Sequence, residues 1–248
     1  MPLRELGVTH RGAADAWECD QMRHVNVRFL ARRFAEAHRV ALAMLGLTDS
    51  HASRERWSFQ HEVRPGAALR IETSWDADGR KLLHRLFKAD TPSPATTLAC
   101  DFGPADQMRD RPGAGWAETG YSETGPHAGP GHEDMLRLAN HAVAHLGLDE
   151  HRRHGPDGSL EVGSALVALD VYRGVLLPAR ARVAVQSRWG RAGHSSLRVL
   201  HRMRGPAGEV AAQVEAVHVL FDMQTRRPVP LPAALRNVAD TGMDYGHE

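Results

Sequence analysis

Apolar residues along this chain follow two different periods. Between Val27 and Leu47 they recur at Leu30, Phe34, Ala37, Ala41 and Met44. Steps of three and four place them on one face of a helix, and Gly46 sits where such a helix ends. Between His132 and Leu148 the same steps return at Met135, Leu138, Ala139, Ala142, Val143 and Leu146, closing on Gly147 and Leu148. After each helix the period shortens to two. Segments 57–63, 67–76, 80–89 and 95–102 read as strands: Leu69, Ile71 and Thr73 alternate with polar residues, and Gly79 and Pro92 punctuate the run. Segments 162–173, 179–189, 194–204 and 208–222 read the same way, the last being the longest apolar-rich stretch in the chain.

The order is therefore helix then strands, twice. Short stretches also recur in order in the two halves. His61-Glu62-Val63-Arg64-Pro65-Gly66-Ala67 has a counterpart in Val175-Leu176-Leu177-Pro178-Ala179, Leu83-His84-Arg85-Leu86 in Leu200-His201-Arg202-Met203, and Leu45-Gly46-Leu47 in Leu146-Gly147-Leu148. An ancient duplication accounts for all three, although any two domains of mixed helices and strands share such short matches by chance. Between the halves lies a run rich in Gly and Pro and poor in apolar pattern. The expected organisation is an N-terminal repeat over 1–105, a linker over 106–131 and a C-terminal repeat over 132–248.

Composition narrows the function classes. At 248 residues, with 42% hydrophobic and 25% charged, the chain is long enough for two small globular units and is not a disordered chain. Lys plus Arg number 31 against 30 for Asp plus Glu, so the net charge is +1. Nothing in that balance suggests a nucleic-acid partner. No apolar stretch is long enough to span a bilayer, and Met1-Pro2-Leu3-Arg4-Glu5 lacks the apolar run of a signal peptide. Two cysteines, Cys19 and Cys100, are too few for a disulfide framework. The expectation is a cytoplasmic protein without a membrane partner.

The informative stretch is Ala16-Trp17-Glu18-Cys19-Asp20-Gln21-Met22-Arg23-His24-Val25-Asn26-Val27. It brings a carboxylate, an imidazole and an amide to the entry of the first long helix. Unpaired N–H groups and the positive end of the helix dipole lie there. Such a place can stabilise an oxyanion while the carboxylate acts as base or nucleophile. The plainer alternative is a capping cluster, in which Asn26 or Asp20 only closes the helix.

The Asp-x-x-x-His-Val-Asn pattern of Asp20, His24, Val25 and Asn26, followed by an amphipathic helix with Phe34 and Ala37, resembles the signature of hotdog-fold acyl-CoA thioesterases, the 4-hydroxybenzoyl-CoA thioesterase group in its broad sense. Glu62-Val63-Arg64-Pro65-Gly66 followed by Leu69-Arg70-Ile71 is similar to that family's second and third strands. Phe221 to Pro232 is similar to its last strand and exit turn. Two positions depart from the pattern: Arg23 stands where the family usually has Gly, and Val27 where a second Asn is common. The second half keeps no such motif. The resemblance implies an α+β fold of two tandem hotdog units, each a long central helix wrapped by a curved, mostly antiparallel sheet, with the two sheets side by side.

The resemblance further implies hydrolysis of an acyl-CoA thioester without a cofactor. Asp20 would be base or nucleophile, backbone amides near His24 and Val25 would polarise the carbonyl, and Asn26 or His24 would orient acid or water. Val25, Met135, Leu138 and Asn140 would line the acyl pocket. A homodimer of double-hotdog chains is compatible with this reading. Two alternatives stay open: a non-catalytic module binding acyl-CoA or an acyl carrier, and an enoyl-CoA hydratase-like hotdog enzyme. His141 and His145 stand four apart like a pair of metal ligands, but no third ligand is identifiable and no metal is expected. His84 and His201 occupy equivalent strand positions, best explained by repeat symmetry or sheet surface. Ser164, Ser195 and Ser196 lack a Gly-x-Ser-x-Gly elbow, and no phosphate-binding glycine loop occurs.

Overall fold

The computed structural model describes residues 3–20, 23–48, 50–103, 116–123, 153–154, 160–178 and 180–241. They divide into two units. The first begins with β1 (Arg4–Ala13), a 3-10 turn over Ala16–Glu18 and α1 (Val27–Leu45). It continues with β2 (Arg54–Phe59), β3 (Ala68–Asp76), β4 (Lys81–Lys88) and β5 (Thr96–Asp101). Its strands lie side by side in the order β1-β3-β4-β5-β2, every pair antiparallel.

Asn26 opens α1 by accepting the Arg28 N–H on its side chain, and Gly46, at φ +68°, closes it in the left-handed conformation that glycine adopts without strain. The expected stripe of Leu30, Phe34, Ala37 and Ala41 is buried, and Ala31, Phe34, Ala37 and Ala41 are fully so. Met44 departs from the expectation: the stripe ends at Leu42, and Met44, in the last turn, is 50% exposed. Phe34 packs edge-on against Trp57 with ring centroids 5.1 Å apart, and Ile71, Leu82, Leu86 and Leu98 complete the core beside them. β1 carried no alternating signal in the sequence. It is a mostly exposed strand at the end of the sheet order, interrupted by a register shift at Gly7, and polar residues suit such an edge.

The second unit comprises β6 (Ala117–Glu123), β7 (Arg153–His154), β8 (Leu160–Arg173), β9 (Arg182–Ala192), β10 (Ser196–Arg204), β11 (Val210–Asp222) and α2 (Ala233–Thr241). Its order is β6-β9-β10-β11-β8, with β7 beside β8. The last residues of β8, Asp170–Arg173, group with the first unit. Arg173 there donates to the buried Glu55 carboxylate at 2.6 Å. Val162, Trp189, Leu197, Val199, Leu220, Leu231 and Leu235 form the second core.

β6 falls within the 106–131 stretch that composition reads as linker. Its pairing with β9 gives it an order that the glycine and proline content of that stretch conceals. The helix expected over 132–148 lies outside the described residues. Leaving β7 aside, the strands of each unit follow one order: first, third, fourth, fifth, second.

Candidate functional site

The chain from Glu18 to Asn26 doubles back on itself. Cys19 and Val25 form an antiparallel bridge, and Asn26 N–H donates to Glu18 O at 2.9 Å. Inside that bridge Asp20 N–H donates to His24 O at 2.8 Å, and Arg23 N–H donates to Asp20 O at 2.9 Å. The Asp20 side chain closes the turn: its Oδ1 accepts the His24 N–H at 3.1 Å. Asp20 itself is exposed. Gln21 and Met22 lie outside the described residues.

Arg23 has φ +59°. A left-handed residue is required for so short a return, which gives a physical reason for glycine at this position. Here an arginine holds the same conformation at a cost of about 1–2 kcal/mol.

The other motif residues separate by role. His24 is buried, and its Nε2 lies 3.0 Å from Glu62 Oε2. Val25 N–H donates to Val63 O at 2.8 Å, tying the turn to the segment before β3. The amides of His24 and Val25, expected to polarise a substrate carbonyl, are thus both engaged within the chain. Asn26 does what the plainer reading said of it and caps α1, through Arg28 N–H at 3.1 Å. Val25 is itself buried. Met135, Leu138 and Asn140, the expected pocket wall, and the pair His141 and His145 lie outside the described residues.

A buried ion pair supports the turn from below. Arg33 on α1 reaches both Glu18 oxygens, at 2.9 and 2.7 Å, and also donates to Ala13 O at 2.6 Å. Glu18 Oε2 accepts the Asp15 N–H at 3.0 Å. Burial pushes the Glu18 carboxyl up, but the Arg33 hydrogen bonds, the Asp15 N–H and the arginine charge outweigh it and hold the acid below its ordinary range. Sequence reasoning missed Glu62, Glu18 and Arg33 as parts of the site. Glu18 and Arg33 stand fifteen residues apart across a helix entry, and no periodicity links Glu62 to His24.

His84 and His201 are both buried, which corrects the sheet-surface half of their expected explanation. Each pairs with a hydroxyl on the neighbouring strand: Thr73 Oγ1 to His84 Nδ1 at 2.8 Å, and Ser187 Oγ to His201 Nδ1 at 2.8 Å. The register is the same in both units, Thr73 opposite His84 and Ser187 opposite His201.

At the entry of α1, then, an exposed carboxylate is fixed by a backbone N–H beside a buried imidazole that faces a second, exposed carboxylate, and near the positive end of a helix. That arrangement can activate water or attack an acyl carbon. Among the described residues, no helix is long and apolar enough to cross a membrane.

Residues 133–238 match the Thioesterase-like superfamily. No curated protein matches the chain. Among solved structures, a 12:0-ACP thioesterase from Umbellularia californica aligns with a TM-score of 0.60 at 8% identity, over 88% of this chain and 93% of that one. An acyl-ACP thioesterase from Bacteroides thetaiotaomicron aligns at 0.57 and 8% identity, over 84% and 96%. The acyl-CoA thioesterase II TesB2 from Mycobacterium marinum aligns at 0.50 and 12% identity, over 89% and 96%. At such identities the likeness speaks for the fold. Residues 133–238 thus carry a thioesterase-like superfamily match, and over most of its length the chain shares the fold of these thioesterases.

Proposed function

We propose that this chain hydrolyses the thioester of an acyl-CoA to the free acid and coenzyme A, with Asp20 as the acting carboxylate. The observation that carries this reading is the Asp20 side chain, exposed to solvent yet held through Oδ1 by the His24 N–H at the entry of α1. A carboxylate so fixed can take a proton from water attacking the thioester carbon, or attack that carbon itself to form a mixed anhydride that water then hydrolyses to the free acid. In either case the thiolate of coenzyme A leaves and takes up a proton. The N-terminal field of α1 favours the negative charge that develops on the carbonyl oxygen.

His24 and Asn26 then act on the turn rather than on the substrate. His24 fixes Asp20 through its backbone and anchors the turn through Glu62, while Asn26 opens the helix. Val25 contributes to the buried wall behind the turn. Met135, Leu138 and Asn140 remain the proposed acyl-pocket residues of the second repeat.

In architecture the reading is a tandem hotdog, with a long helix in each repeat and the motif in the first only. The common strand order and the common hydroxyl–histidine register support it. A homodimer of such chains and a cytoplasmic location belong to the same proposal.

Release of free thiol from a panel of acyl-CoA and acyl-ACP substrates tests the activity, and Asp20→Asn tests the residue. General acid–base participation contributes about 10²–10⁴ in rate, so turnover by Asp20→Asn should fall at least a hundredfold with the fold intact. No thiol release from any substrate, with acyl-CoA still bound, would make the chain a binding module instead.

A further inference from the structure

A line of hydrogen bonds in the first unit ends at an arrangement the proposed reaction does not use. Thr9 Oγ1 donates to Ile71 O at 3.4 Å and lies 2.7 Å from Thr73 Oγ1. Thr73 Oγ1 lies 2.8 Å from His84 Nδ1, placed to accept its N–H in the tautomer that puts a lone pair on Nε2.

Three side chains meet at that lone pair. His84 Nε2 lies 3.1 Å from His38 Nδ1. One ring nitrogen of each histidine and Cys100 Sγ all fall within 4.8 Å of one another. His84 and Cys100 are fully buried, and the His38 ring is held by the Phe102 ring stacked on it at 5.9 Å and 4°. Two imidazole nitrogens bonded to a tetrahedral zinc at about 2.0–2.1 Å stand roughly 3.3 Å apart. The observed separation already matches.

We propose that His38 Nδ1, His84 Nε2 and Cys100 Sγ form a site for a late first-row divalent ion, Zn²⁺ by preference, with Thr73 as the outer partner that orients His84. Two imidazoles and a thiolate are soft donors that select such ions over Mg²⁺ or Ca²⁺. Three protein ligands leave one coordination position for water or another donor. On binding, the Cys100 thiol gives its proton to solvent. His38 exchanges its Nδ1 proton for one on Nε2, so one ion enters and one proton leaves.

The second unit supplies an internal contrast. Leu82 faces Cys100 in the first unit, and Val199, likewise two residues before the histidine, faces Ala216. His201 keeps its hydroxyl partner there, but the counterpart of the sulfur is a methyl group. The ion should therefore bind to the first unit.

Titration of the reduced, metal-free chain with Co²⁺ tests this directly, because a thiolate ligand gives a near-ultraviolet charge-transfer band. One equivalent should develop the band, and Zn²⁺ should displace it. With only two cysteines in the chain, Cys19→Ala should retain the band and Cys100→Ala should abolish it. Thr73→Val should weaken Co²⁺ binding about 10–100-fold, the effect of losing an outer-sphere partner. Should Cys100→Ala fail to fold, His38→Gln, at a half-buried helix position, must weaken binding at least tenfold. A band that survives Cys100→Ala, Co²⁺ binding weakened less than tenfold in His38→Gln, a band lost in Cys19→Ala, or no band at one equivalent would overturn the site.

Discussion

His24 Nε2 lies 3.0 Å from Glu62 Oε2, so the imidazole of the motif faces a carboxylate that stands 38 residues further along the chain. Glu62 is 40% exposed, and a pair so placed contributes about 1 kcal/mol after screening. On the reading that His24 anchors the turn, Glu62→Gln should lower kcat only about fivefold, each 1.4 kcal/mol being a factor of ten. KM should hold steady, since neither residue is assigned to the acyl group. A loss as deep as that of Asp20→Asn would instead place the His24–Glu62 pair in the proton-transfer path.

Arg23→Gly is expected to stabilise the protein. Arg23 occupies φ +59°, where a side chain costs about 1–2 kcal/mol relative to glycine. Glycine regains part of that cost in the unfolded chain, because it is more flexible there. The net gain should be about 0.5–1 kcal/mol, or one to a few degrees in Tm for a chain of this size. Activity should persist, because the Asp20–His24 hydrogen bonds do not involve the Arg23 side chain. A lower Tm would show that the guanidinium has a stabilising contact outweighing the backbone strain.

Which parts of this molecule were legible in its sequence follows from how local their causes are. The stripe of Leu30, Phe34, Ala37 and Ala41 lies within one helix, and three- and four-residue steps report it directly. The strands after it alternate because one face of each is buried, and the readings fell within a few residues of β3, β4 and β5. β1 escaped because edge strands need no apolar alternation, and β6 because it lies within a glycine- and proline-rich stretch that reads as linker. The turn at Asp20 was legible through residue types at fixed spacing. The division of labour within it was not: whether Asn26 orients water or caps α1, and whether the Val25 N–H meets a substrate or Val63 O, depends on partners that folding supplies. His84 and His201 were recognised as equivalents, but their burial depends on neighbouring strands.

The Glu18–Arg33 pair should behave as a buried unit. Removing one partner of such a pair costs about 3–5 kcal/mol, because the other charge is left without compensation. Arg33→Met should therefore destabilise the chain strongly and also loosen the Asp20 turn that Glu18 O holds through the Asn26 N–H. Glu18→Gln combined with Arg33→Met should recover much of that loss. The Glu18 acid is held below its ordinary value of 4.5, so its stabilisation is present above that pH and disappears as pH falls through the folded value. Denaturant unfolding of the two single variants and the double measures the coupling. Additive losses would mean that the two side chains act independently.

The second unit should lose stability in acid through two histidines. Burial, with a smaller contribution from neighbouring His218, lowers His201 from 6.5 to about 3, and burial lowers His218 from 6.5 to about 4. Neither Nε2 has a hydrogen-bond partner among the described residues. Between the folded and unfolded values the unfolded chain holds the extra proton, so stability is complete above about pH 6.5 and falls as pH drops below it. Each histidine takes away about 1.4 kcal/mol per pH unit over that window. His218 faces Leu197, four residues before His201, and in the first unit Phe102 N–H donates to Arg80 O, four residues before His84. Phenylalanine is thus the residue that the first unit already accommodates at the corresponding sheet position. In His218→Phe the difference in unfolding free energy between pH 7 and pH 5 should shrink by about 2 kcal/mol, one histidine's share over 1.5 pH units. Stability at pH 7 should not fall, because a buried nitrogen without a partner is replaced by carbon. Equal pH 5 penalties in the variant and the parent would mean that His218 is protonated in the folded chain, and the acid sensitivity would then have to come from His201 alone.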